Sequence, residues 1–183
     1  MANRSGKTIP VVLTAALLGP VFLTSGCASD QPPRAALDEM INTVDETFPA
    51  VDTISTDALA SWLADPDRPA PQLLDAREAK EYAVSHIPGA IQIDPGADVA
   101  ALAAMLDPDR PIVIYCSVGY RSSELAQRLA DHTELSAQNL TGSIFKWANE
   151  GRPLENATGA TQYVHPYNDY FGRMLLPTLR YQP

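Results

Sequence analysis

The run Ile112-Val113-Ile114-Tyr115 leads straight into Cys116-Ser117-Val118-Gly119-Tyr120-Arg121-Ser122-Ser123, and a helical pattern (ELAQRLAD) follows. An apolar strand, a cysteine, a short loop and a helix in that order place a thiol at the carboxyl end of a strand, where open α/β sheets bind ligands. Gly119 lets the loop turn back on itself, so that successive N–H groups from Ser117 to Ser122 can face one point at a helix N-terminus. Such a nest favours negative charge. The chemistry expected of it is nucleophilic: a lowered Cys116 pKa and a reactive thiolate. Ser122 or Ser123 is a candidate cap for the helix. Arg121 is the one cation of the loop, and two uses are open to it: holding an anionic donor or pairing with a neighbouring carboxylate.

Other chemistry-bearing residues are few. The cysteines are Cys27 and Cys116 alone, which excludes a disulfide scaffold and a multi-cysteine zinc site. The histidines, His86, His132 and His165, lie far apart with no ligand-type spacing, so no metal and no cofactor is expected. Asp75 and Arg77 read as a structural ion pair beneath the loop, and a buried pair of that kind is costly to break from one side. His86 reads as a packed, hydrogen-bonded residue, and Trp147, Leu125 and Leu129 as core. His165-Pro166-Tyr167-Asn168 reads as part of a structural strap, with a pocket wall or a partner contact as alternatives.

The elements that position these residues begin at about Val51. Strand-like runs are 51–54, 72–75, 90–93, 111–116 and 137–140; helix-like runs are 56–64, 78–84, 97–106, 123–131 and 143–150. Gly151 stands where a helix C′ glycine belongs. Short apolar strands alternating with helices predict a buried parallel sheet covered by helices on both faces. Before it, Leu37, Met40, Ile41, Val44 and Phe48 form one apolar stripe, so residues 34–47 are expected to be a helix packed on the domain. After it, residues 155–183 hold five of the 13 aromatics, which argues for an ordered strap.

The stretch Cys116 to Ser122 (CSVGYRS) resembles the active-site loop of the rhodanese-like sulfurtransferases. Asp75-Ala76-Arg77 with Glu81-Tyr82 resembles the family's DxR…E[YF] segment. His86-Ile87-Pro88-Gly89-Ala90 resembles its GHIPGA segment, with Ser85 in place of the glycine. Trp147 with Gly151-Arg152-Pro153-Leu154 resembles the closing helix and turn. The resemblance covers about residues 53–154 and implies an α/β fold: a single rhodanese-like domain over 51–154, with a five-stranded parallel sheet flanked by helices on both faces. It implies sulfur transfer through a Cys116 persulfide, from a small sulfur donor to a thiol acceptor or cyanide. Ser117, Val118, Gly119, Tyr120, Arg121 and Ser122 would then form the substrate-binding loop. Cys116 to Arg121 is six residues, the sulfurtransferase length, where related phosphatases and arsenate reductases have one more. Ser117, Val118 and Tyr120 are uncharged where thiosulfate-specific members often carry basic residues. A non-catalytic sulfane-sulfur carrier or interaction module is the alternative from another class.

Residues 1–26 combine Arg4 and Lys7 with the apolar run Val11–Leu23, too short to span a bilayer, and read as a secretory signal. Ser25-Gly26-Cys27 resembles a bacterial lipobox, with Thr24 at the position the family fills with an aliphatic residue. It implies a lipidated Cys27, a tether and helix over 27–50, and an exported protein anchored to a cell-envelope membrane, where an envelope protein partner is possible. The net charge of −9, from 13 basic and 22 acidic residues, argues against nucleic acid as a partner.

Overall fold

Ile112–Tyr115 are buried throughout and point alternately into two apolar clusters. A strand buried on both faces needs cover above and below, and this explains the layered arrangement around it. The computed structural model describes Met1 and residues 33–182. The leader expected over 1–26, Cys27 and most of the tether lie outside the described residues.

The elements run α1 (Pro33–Thr47), β1 (Thr53–Ile54), α2 (Thr56–Ala64), β2 (Gln72–Asp75), α3 (Ala79–Val84), β3 (Ile91–Gln92), α4 (Val99–Met105), β4 (Ile112–Tyr115), α5 (Tyr120–His132), β5 (Ala137–Leu140) and α6 (Ser143–Asn149). They fall within one compact unit, Gln31–Pro183. The five strands form one sheet in the order β1-β5-β4-β2-β3, with every pairing parallel. β4 is therefore central. Val113 and Tyr115 face the cluster built with α1, α2 and α6, through Leu37, Leu59, Trp62 and Phe145. Ile112 and Ile114 face the opposite cluster, built with α4 and α5 through Val99, Leu102, Leu125 and Leu129.

α1 packs on the domain as its stripe predicts, with Leu37 and Val44 buried. α2 is capped by Ser55, whose hydroxyl accepts from the Ala58 N–H. α6 ends in a left-handed Gly151, whose N–H donates to Ala148 O (2.8 Å).

Asp75 and Arg77 are both fully buried at the carboxyl end of β2. Arg77 Nε and Nη2 donate to the two Asp75 carboxylate oxygens at 2.9 and 2.7 Å, and Nη2 also donates to Ser85 O at 2.6 Å. This bidentate pair ties the β2 end to the turn after α3. The guanidinium stands over the Tyr115 ring, and the Tyr115 hydroxyl accepts from the Ile87 N–H at 3.1 Å.

The aromatic segment after the sheet is ordered. It forms an antiparallel hairpin, β6 (Leu154–Asn156) and β7 (Gly159–Thr161), a short helix α7 (Asp169–Gly172) and a 3-10 turn (Pro177–Leu179). Backbone bonds between His86 and Glu155 hold its start at 2.8 and 3.0 Å. Buried Val164, Met174 and Leu175 hold its middle, and Asn149 Nδ2 donates to Met174 O at 2.7 Å.

Candidate active site

Cys116 follows β4 directly and is 1% exposed. From there the chain turns through Gly119, at φ 115°, into α5. A left-handed turn of that kind favours a residue without a Cβ. A Cβ at Gly119 would stand 3.2 Å from Asn139 Nδ2 and 3.6 Å from Val44 Cγ1. The turn brings the Gly119 N–H to 3.2 Å from Cys116 Sγ, where it donates to the sulfur. The first-turn N–H groups of a helix have no partner inside it, so α5 offers its own to whatever sits at its start.

Below the loop, the N-terminus of α6 serves as a foundation. The Ile144 and Phe145 N–H groups donate to Cys116 O and Ser117 O at 3.2 and 3.1 Å. Ser143 Oγ accepts from the Cys116 N–H at 3.0 Å. Two elements far apart in sequence thus satisfy each other's orphan groups.

Beside the loop stands Glu81, a site residue that nothing in the Glu81-Tyr82 segment marks as such in sequence. Its carboxylate is fully buried. Oε1 accepts from Ser117 Oγ and Arg121 Nη2, both at 3.0 Å; Oε2 accepts from Arg121 Nη1 at 2.8 Å and from the Glu78 N–H at 3.1 Å. Burial pushes the carboxyl up, but the Arg121 fork outweighs it, and Glu81 lies below the usual carboxylate value. Of the two uses open to Arg121, the structure therefore shows the carboxylate pair. Its guanidinium also lies over the Tyr167 ring, 4.9 Å from the centroid.

The Cys116 thiol responds to these surroundings. Burial pushes it up, while the Arg121 charge and the hydrogen bonds from Ser122 and Gly119 pull it down, and the net shift is downward. A downward shift extends the thiolate to lower pH.

Several expectations need revision. α5 starts at Tyr120 rather than Ser123, and its N-cap is Gly119, with no side-chain cap. Ser122 and Ser123 are therefore not caps. Both are buried, and Ser122 Oγ lies 2.7 Å from Asn139 Oδ1 and 3.1 Å from Gly119 O. Val118 is buried, whereas Tyr120 is exposed and meets Phe48 edge-to-face at 5.0 Å. His86, by contrast, is packed and hydrogen-bonded as expected: it stacks on Tyr82 at 3.8 Å, with its Nδ1 3.1 Å from Tyr82 O. The strap reaches the site: a pocket of about 190 Å³ over Cys116 is lined by Ser117, Val118, Tyr120 and Arg121 of the loop and by Tyr167 and Phe171 of the strap.

A family model described as the rhodanese-like domain matches residues 55–150, more than half of the chain. The chain belongs to the rhodanese-like domain family. A protein of Allochromatium vinosum named "Sulfurtransferase" is 33% identical over 104 residues, covering 57% of this chain and 94% of that one. A thiosulfate sulfurtransferase of Actinobacillus succinogenes is 28% identical over 87 residues, covering 48% and 78%. Of other curated relatives this chain matches 26–62% of the length. Among solved structures, a rhodanese-like domain protein of Staphylococcus aureus superposes with a TM-score of 0.51 at 26% identity, covering 58% of this chain and 98% of that one. The rhodanese-like match leaves out α1 and the strap, yet both touch the loop.

The geometry predicts the outcome of Gly119→Val. A β-branched residue cannot hold this φ without strain of about 1–3 kcal/mol, so the N–H groups lose their convergence on the sulfur. The inflection in the rate of Cys116 alkylation against pH should rise toward that of a free thiol. An unchanged inflection would mean that the backbone does not activate the sulfur, and that Arg121 alone does.

Proposed function

We propose that the protein is a sulfurtransferase in which Cys116 carries the sulfur as a persulfide. The observation that carries the reading is the buried Cys116 sulfur at the end of the central strand, at the start of α5, with the Gly119 N–H donating to it at 3.2 Å. Sulfurtransferase-named relatives support the same role.

In the first half-reaction the Cys116 thiolate attacks the outer, sulfane sulfur of a donor. The bond between that sulfur and the rest of the donor breaks, and its electron pair leaves with the donor remnant. In the second, an acceptor thiolate or cyanide attacks the outer sulfur of the persulfide, and Cys116 leaves as a thiolate. No net oxidation occurs. The negative charge of the persulfide lies within reach of the same N–H groups that hold the thiolate. Glu81 does not react; it fixes Arg121 and Ser117, so that the loop keeps its shape through both steps.

The competing reading is a sulfur carrier or interaction module, which the exposed Tyr163, Tyr170 and Tyr181 of the strap favour. The two differ in turnover. A transferase consumes many equivalents of donor when an acceptor is present, and a carrier stops at one sulfur per Cys116. Cys116→Ser, nearly isosteric, should retain the fold and lose both turnover and the one-sulfur gain in intact mass. Appreciable turnover in that variant would refute the assignment.

The setting of the reaction is part of the proposal. With Cys27 lipidated after removal of residues 1–26, the domain would stand on an envelope membrane and meet donors and acceptors there. Cys27→Ser should then be exported yet partition into the aqueous phase of a detergent separation, while wild type enters the detergent phase. Aqueous wild type would sink the anchor.

A further inference from the structure

Resting on the sulfurtransferase reading, we propose that the C-terminal strap makes this site selective for a sulfane sulfur carried on a compact apolar organic group, rather than for the thiosulfate dianion. Tyr167 and Phe171 lie outside residues 55–150 and are part of the pocket over Cys116. They meet each other edge-to-face at 5.6 Å. With them, Val118 and Tyr120 add aliphatic and aromatic lining. A dry cavity of roughly 150 Å³ is enough to hold benzene. The pocket, at about 190 Å³, has that room.

The electrostatics point the same way. A dianion gains most from a cation that is free to meet it. Among the described residues Arg121 is the one cation lining the pocket, and it is committed: two hydrogen bonds go to Glu81, at 2.8 and 3.0 Å, and its face covers Tyr167. The pair it forms is neutral, and the chain as a whole carries −9. A second negative charge on the donor would face a thiolate with no unpaired positive charge among the described lining residues to offset it. An apolar body instead buries surface against four apolar side chains.

The strap holds Tyr167 in place by construction. Its φ is +63°, a conformation rare for a bulky residue and a mark of a position fixed by its surroundings. The Tyr167 N–H donates to His165 Nδ1 at 3.0 Å, and the Asn168 N–H donates to Pro166 O at 2.8 Å. Asn168 Oδ1 then caps α7 by accepting from the Phe171 N–H at 3.0 Å. The unusual His165-Pro166-Tyr167-Asn168 run is thus a turn that aims one aromatic ring at Arg121 and starts the helix that presents the other. Buried Val164 and Leu175 on either side fix the turn to the domain, so the wall is part of the fold.

The donor class follows. For an organic persulfide R–S–SH, the Cys116 thiolate attacks the terminal sulfur and the bond between the two donor sulfurs breaks. Its electron pair leaves on RS⁻, and Cys116 becomes the persulfide with the transferred S–H. R occupies the slot between Tyr167, Phe171 and Val118 until RS⁻ departs.

Three probes share one reacting unit and differ in the group attached to it: thiosulfate, methanethiosulfonate and benzenethiosulfonate. Each delivers its outer sulfur to Cys116 and leaves as sulfite or the corresponding sulfinate. With the full chain and cyanide as acceptor, kcat/KM for the donor reports the first half-reaction. The ratio of benzenethiosulfonate to thiosulfate is compared between wild type, Tyr167→Ala, Phe171→Ala and Tyr167→Phe, which cancels the intrinsic reactivity of the donors. The ratio should fall about tenfold in each alanine variant, the size expected for one hydrophobic contact in a pocket, and should survive in Tyr167→Phe. Ratios that do not change between wild type and both alanine variants would overturn the proposal.

A second readout separates this inference from the reading beneath it. Alkylation of Cys116 by N-phenyl iodoacetamide, relative to iodoacetate, tests the same wall without sulfur transfer. If no donor loads Cys116 but the alanine variants lower the alkylation ratio about tenfold, the wall stands and the sulfurtransferase reading fails. If donors load Cys116 and both ratios ignore the strap, the wall fails and the sulfurtransferase reading stands.

Discussion

A chain leaving the central strand of a parallel sheet at Cys116 has only as far as Gly119 in which to turn into α5 while keeping its own N–H groups around a buried sulfur. That constraint fixes much of what surrounds it. It demands a left-handed residue at Gly119, with φ 115°, and would set a Cβ tightly against Asn139, 3.2 Å from Nδ2. It leaves the carbonyls of Cys116 and Ser117 pointing away from the helix they precede, and the N-terminus of α6 accepts the task of satisfying them. It also needs a lateral brace, which Glu81 supplies by gripping Ser117 and Arg121 together. A buried carboxylate is tolerated because four donors meet it, and a buried sulfur because its anion is met by backbone dipoles and one charge. Glu81 also makes the brace sensitive to acid. Its folded pKa lies below the ordinary value, so the stability it contributes is present above the unfolded value and lost as pH falls through the folded one.

Much of this was legible in the residues. The all-apolar run ending at Cys116, the glycine three positions on and the helical pattern beyond are local signals, and they place the thiol at the end of a central strand. The buried Asp75–Arg77 pair was legible too, because both partners sit within one short segment. Glu81 was not. Its partners are 36 and 40 positions away, and no periodicity or spacing rule joins α3 to the start of α5. The start of α5 was misplaced because a serine near a helix start reads as a cap. Here Ser122 is already inside the first turn, with its hydroxyl turned to buried Asn139. The strap showed its order through composition alone; its hairpin strands of three residues each are too short for a pattern to register.

The family domain and its additions divide the work. Residues 55–150 supply four of the five strands, the loop and the brace. The additions come to the loop from outside that span. α1 sends Val44 toward Gly119, with Phe48 following it against Tyr120; the strap sends Tyr167 and Phe171 over the pocket. The thiol thereby acquires a mouth of its own, whose one cation among the described residues is already paired.

The central claim is that folding, not the sequence of the loop as such, makes Cys116 a thiolate below the pH expected of a free thiol. The most direct test is to titrate the ultraviolet absorbance of the thiolate in the native chain and in the same chain unfolded in denaturant, subtracting Cys116→Ser in each state. The account predicts that the native inflection lies at lower pH than the unfolded one. A native inflection at or above the unfolded value would show that burial outweighs the N–H groups and Arg121, and would contradict it.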